Sequence, residues 1–102
     1  MIDTIVAARD HVQRREEILR KVLLLLIREL KVKREPDAID PDTPLFATGL
    51  GLDSVDAVEL VICLQREFNL YLADDEEVVR KTRTVNSIID CVLDEAEVVH
   101  AG

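Results

Sequence analysis

All three prolines of this 102-residue chain fall at positions 36, 41 and 44, and two of its three glycines follow at 49 and 51. Proline removes a backbone donor and clashes with the preceding helical turn, so residues 32–52 read as a long connection. The segments on either side carry almost no helix breakers. Three glycines and three prolines also leave little material for the many turns of an all-β fold. The fold class is therefore all-α.

Apolar spacing places the helices. Ile18, Leu19, Val22, Leu23, Leu26 and Leu30 form one stripe of a helix over residues 12–31, with Arg14, Arg15, Glu16, Glu17, Arg20 and Lys21 on its solvated side. Residues 1–10 either extend this helix or fray. A second helix starts at Asp53 or Ser54 and stops near Phe68 and Asn69. Ala57, Leu60, Val61, Leu64 and Phe68 line its core face. A short helix spans residues 74–80. The last covers 84–97, with Thr84 as N-cap and Val85, Ile88, Ile89, Val92, Leu93 and Ala96 at helical spacing. Residues 98–102 read as a flexible tail. The expectation is a single domain over residues 1–102: three major helices, one short helix and a long first loop. Ile39, Leu45, Phe46, Leu50 and Leu52 anchor that loop.

Only Phe46, Phe68 and Tyr71 are aromatic, so the core is aliphatic. The net charge of −8 argues against nucleic acid or an anionic membrane and favours partners with basic patches. The run 22–27 is too short to span a bilayer, and Asp3, Arg9 and Asp10 do not fit a signal peptide. A cytoplasmic monomer is expected. Cys63 and Cys91 lack metal-like spacing and read as buried reduced thiols. Asp74, Asp75, Glu76 and Glu77 lack the alternating ligands and glycine of a calcium loop, so no metal site is expected.

Ser54 stands where the glycine-bearing loop meets the second helix. A helix N-terminus is partly positive and stabilises a nearby anion by about 0.3–1 kcal/mol, which suits a phosphate ester. The plainer alternative is a helix cap, a part that Asp53 could equally play. His11 and His100 lie towards opposite ends, and the Gly-x-Ser-x-Gly elbow of hydrolases is missing, so no catalytic residues are assigned. Val55, Val58 and Ile62 form a second apolar line beside the core face, with Asp53, Asp56 and Glu59 nearby. One stripe suffices to bury a helix, so the surplus line calls for a partner.

Residues 41–93 resemble the acyl carrier proteins. The likeness centres on Leu50-Gly51-Leu52-Asp53-Ser54-Val55-Asp56 and continues through Val58-Glu59-Leu60-Val61 and Glu67-Phe68. The acidic run Asp74-Asp75-Glu76-Glu77 and Thr84-Val85 match the family's short helix and the start of its last helix. The resemblance implies a four-helix carrier bundle and a 4′-phosphopantetheine arm from coenzyme A, attached to Ser54 beside Asp53 by a phosphopantetheinyl transferase. The arm would carry acyl groups as thioesters to fatty-acid, lipid or polyketide-type enzymes, and the protein would be free-standing and no enzyme. It further implies that Val55, Asp56, Val58, Glu59, Ile62, Glu76 and Glu77 dock partners through acids and an apolar groove. Gln65-Arg66-Glu67 is less acidic than is common in the family, Ala73 replaces a frequent proline, and Leu52 replaces a small residue. These departures bear on cargo and partner. An aminoacyl, peptidyl or D-alanyl carrier shares the same serine and fold, and a helical interaction module without a prosthetic group remains a further alternative.

Overall fold

In a computed structural model of the chain, the backbone is described for residues 2–101 and the side chains for residues 11–95. The side chains of Ala96 and His100 therefore lie outside the described ones, while the backbone of the last helix runs on to Ala101, past the end expected at 97 and into the tail expected at 98–102. In order, the elements are α1 (Ile2–Arg28), a 3-10 turn (Pro36–Ala38), α2 (Ser54–Phe68), α3 (Asp75–Lys81) and α4 (Val85–Ala101). Three longer helices, one short helix and a long first connection match the architecture expected from sequence.

α1 begins at Ile2 rather than near Val12. Once a helix is nucleated, each added residue gains a hydrogen bond, so propagation through 2–11 needs no deep apolar stripe. Its other end falls three residues short of Lys31, because Lys31 adopts a left-handed conformation (φ 59°) that turns the chain out of the helix. The Val32 N–H then bonds the Leu26 carbonyl at 3.1 Å across that turn. α2 stops as expected, at a left-handed Asn69 (φ 55°). α3 starts one residue late, since Asp74 is its cap: the Asp74 carboxylate accepts from the Glu77 N–H at 2.8 Å. Thr84 caps α4, its Oγ1 accepting from the Ser87 N–H at 3.1 Å.

The core is aliphatic and lies between α1, α2 and α4. Leu26, Leu60, Leu64, Ile88 and Ile89 are fully enclosed, joined by Leu45 from the connection and Leu70 after α2. Leu25 and Cys63 are buried as well, so the apolar faces of α1 and α2 are wider than their spacing alone suggests. Cys63 and Cys91 are free and buried, and burial raises both thiols above their ordinary range. Thr82, a buried polar residue, is satisfied by donation to the Val78 carbonyl at 2.5 Å.

The connection 29–53 is tied through its middle to the start of α4. Asn86 N–H donates to the Pro41 carbonyl and Leu45 N–H to the Arg83 carbonyl, each at 3.0 Å. Arg15 on α1 ties to Asp90 at 2.7 Å and to the Asn86 side chain at 3.1 Å, while Asn86 reaches Asp42 at 2.6 Å. Phe46 and Leu52 pair as a single bridge, with Ile39, Leu45 and Leu52 buried beneath the loop. The connection is thereby an anchored approach to the start of α2.

Candidate functional site

The start of α2 is fixed by a reciprocal cap. The Asp53 Oδ1 accepts from the Asp56 N–H at 2.9 Å, and the Asp53 N–H donates to Asp56 Oδ2 at 3.0 Å. Two of the helix's orphan donors are satisfied at once. This settles which residue caps the helix: Asp53 does, and Ser54 is the first helical residue. The exposed Ser54 hydroxyl is thus spared capping, yet it sits within the first turn, where the helix's partial positive charge is concentrated. The spacing of Asp53 and Asp56, an acid three residues after the cap, was a readable signal of this arrangement.

Two open depressions meet at Ser54. One, of about 610 Å³, runs along α2 past Val55, Val58, Glu59 and Ile62 to Cys63 and Arg66, with Glu29 on its far wall. The other, of about 530 Å³, follows the seam between α2 and α3, lined by Ala57, Val58, Val61, Leu72, Val78 and Val79 among others. Val55, Val58 and Ile62 are 71 %, 62 % and 55 % exposed, so the surplus apolar line faces solvent rather than core. Glu59 and Glu76 are also exposed.

Asp56 and Glu77 are less free than the sequence suggests. One Asp56 oxygen is engaged in the cap. The Glu77 carboxylate accepts from the Ala73 N–H at 2.7 Å and pairs with Lys81, which leaves it only 20 % exposed. Glu77 secures the start of α3, and Glu76 presents the exposed charge there. The sequence singles out Arg66 but not its approach to Glu29: the two face one another at 3.6 Å at the far end of the α2 groove. Nothing local signals a contact between residues so distant in the chain.

Among the described residues, no histidine lines either depression, and His11 is exposed on α1. Among the described residues, no group of three His, Cys, Asp or Glu side chains could hold a metal ion. No described helix is long and apolar enough to cross a membrane.

The Asp53 carboxyl is held below its ordinary value of 3.8, chiefly by the hydrogen bond from the Asp56 backbone. Glu77 lies below its ordinary 4.5, chiefly through Lys81, which is itself raised. For the two acids the folded value is below the unfolded one, so their stabilisation is present above the unfolded value and lost as pH falls through the folded one. Lys81 behaves oppositely: its contribution holds below 10.5 and is lost as pH rises beyond the folded value. The melting temperature should therefore begin to fall below about pH 4, and Asp53→Asn, which retains a capping oxygen but cannot titrate, should fall less steeply. Thermal scans between neutral and acid pH read this directly. Identical acid slopes would exclude the cap as a source of the decline.

An exposed, non-capping serine at the N-terminus of a helix, reached by an anchored loop and flanked by open apolar grooves, fits a site for a tethered phosphate-linked arm. The family model for the phosphopantetheine attachment site matches residues 20–92. An acyl carrier protein of Cyanidium caldarium is 37 % identical over 84 residues, spanning 80 % of this chain and 94 % of that protein. Another, from Thermosynechococcus vestitus, is 36 % identical over 76 residues, spanning 74 % and 88 %. The class is that of phosphopantetheine-bearing carriers. Within it, the chain belongs to the acyl carrier proteins; its prosthetic group is 4′-phosphopantetheine and its function is that of a carrier.

Proposed function

We propose that Ser54 is the residue that bears the arm and that the chain carries acyl groups without making or breaking bonds itself. A phosphopantetheinyl transferase would bring the chemistry: the Ser54 oxygen, losing its proton, would become the new ester oxygen on the pantetheine-side phosphorus of coenzyme A, while the pyrophosphate P–O bond breaks and 3′,5′-adenosine bisphosphate leaves. When bound, the group supplies a thiol on which cargo rides as a thioester. The residues of this chain do the rest. The Asp53–Asp56 cap fixes the serine, the helix N-terminus stabilises the phosphodiester, and the anchored loop keeps the attachment point in solvent.

Docking is assigned to Val55, Val58 and Ile62 as the apolar contact, with Asp53, Asp56, Glu59 and Glu76 steering transferases and acyl-processing enzymes that present basic patches. Glu77 contributes by holding α3 in place. The protein works as a cytoplasmic monomer, its charge of −8 opposing self-association.

An acyl rather than an aminoacyl cargo is favoured by one observation: the depression between α2 and α3 beside Ser54 is lined mainly by Ala57, Val58, Val61, Ile62, Leu72, Val78 and Val79. An alkyl chain entering that seam leaves water, at up to ~0.8 kcal/mol per methylene. A charged α-amino group gains nothing there. Thermal melting of the holo protein carrying octanoyl, alanyl or no cargo tests this reading. The octanoyl form should melt highest, and the alanyl form should match the bare thiol. Equal melting of all three would place the cargo in solvent and remove the preference for acyl groups.

A further inference from the structure

The charges of this chain are sharply divided. Residues 1–34 hold nine Lys and Arg against five acids, and the remainder holds four against sixteen, together giving the net −8. From residue 35 to 65, which includes the start of α2, there is no Lys or Arg at all. The fold then brings part of the basic third onto the docking face. A further depression of about 240 Å³ lies between α1 and the end of α2, lined by Lys21, Leu24, Leu25, Arg28, Glu29 and Glu67. Glu29 also walls the groove that starts at Ser54, so the two depressions adjoin at that residue.

Along this face the sign of charge changes. At the Ser54 end stand Asp53, Asp56 and Glu59, with no cation in the first turns of α2. The middle is apolar, through Val55, Val58 and Ile62. At the far end, Lys21, Arg28 and Arg66 outnumber Glu29 and Glu67. Arg66 is 57 % exposed and its 3.6 Å approach to Glu29 is longer than a good charged hydrogen bond, so its guanidinium keeps donors to spare. Ser54 and Arg66 are twelve residues apart, about 18 Å along the helix.

We propose that this is a bipolar docking face, fitted to a partner protein with basic residues around its active-site entrance and a separate carboxylate cluster about 18 Å away. The inference rests on the carrier reading of α2 and adds the second half of the contact. Acids at one end alone would accept any basic partner in several orientations. A cationic far end rejects partners that are basic throughout and fixes the direction in which α2 lies. A face running from acid to base is also self-complementary under a two-fold rotation, but two copies each carrying −8 repel, which favours a heterologous partner.

Two amphipathic helical peptides of identical composition test the proposal on the unmodified protein. Both carry a leucine stripe. One has its lysines in one half and its glutamates in the last turn, and the other interleaves the same charges. The segregated peptide should bind about fivefold more tightly at low salt, and the preference should vanish in an Arg28→Glu, Arg66→Glu variant shown by circular dichroism to be folded. Equal affinity for the two peptides, or binding of neither, overturns the proposal. So does dimerisation of the wild-type chain at micromolar concentration, which would make the occupant a second copy. Phosphopantetheine is not involved in this assay, so a chain that fails here can still be a carrier, and one that passes need not be.

Discussion

Ser54→Ala is expected to abolish phosphopantetheine acceptance completely while leaving the melting temperature nearly unchanged. The two halves of that result have separate causes. Ester formation needs the Ser54 oxygen, and no neighbouring hydroxyl occupies the first turn of α2: the residues there are Val55 and Asp56. Stability is spared because the helix cap belongs to Asp53 and Asp56. Removing an exposed hydroxyl outside the cap and core should change stability by no more than about 0.5 kcal/mol. If Ser54 were instead the cap, the same change would cost about 1 kcal/mol, and a circular dichroism melt would see it. Retained acceptance in Ser54→Ala would move the attachment point elsewhere.

Gly49→Ala should be far more damaging than Gly51→Ala, although the sequence presents the two alike. Both glycines have positive φ, 67° and 70°, a conformation that costs a side-chain-bearing residue about 1–2 kcal/mol. Only Gly49 is also hemmed in. A Cβ there would lie 2.1 Å from the Pro44 carbonyl oxygen and 2.7 Å from Thr43 Cγ2, whereas nothing stands within 4 Å at Gly51. The Pro44 oxygen cannot retreat freely, because it accepts the Leu50 N–H at 3.0 Å. Gly49→Ala must therefore open the loop, at a cost of about 2–4 kcal/mol and a fall of roughly 10–25 °C in melting temperature. Gly51→Ala should lose only the conformational cost. Since residues 41–52 deliver the chain to Ser54, Gly49→Ala should also slow modification. Equal melting of the two variants would show that the approach of Pro44 to Gly49 does not constrain the loop.

These two sites mark how far the sequence could be read. The exposed position of Ser54 at the start of α2 was legible because a local pattern announces it, a glycine-bearing approach followed by Asp-Ser-Val-Asp and an amphipathic helix. The helices were legible for the same reason: Leu60 and Leu64, or Val85, Ile88, Ile89 and Val92, declare their face by spacing alone. The stops at Asn69 and Lys31 differ in this respect. Asn tolerates the left-handed conformation readily, so Asn69 could be foreseen. A left-handed lysine could not, and α1 ends at Arg28. Features that depend on residues far apart stayed hidden. Glu77 looks like one more surface acid until Lys81 and the Ala73 N–H are seen around it. Arg66 gains its meaning only when α1 brings Glu29, Arg28 and Lys21 to the end of the same groove. The difference between Gly49 and Gly51 likewise lies in where Pro44 passes.

The most direct test of the carrier function at Ser54 is the intact mass of the folded wild-type chain after incubation with coenzyme A, magnesium and a promiscuous phosphopantetheinyl transferase, followed by peptide mapping. A gain of one phosphopantetheine group, confined to the peptide containing Ser54, is the predicted result. No gain from folded, previously unmodified protein, or a gain mapped to another residue, would refute the assignment.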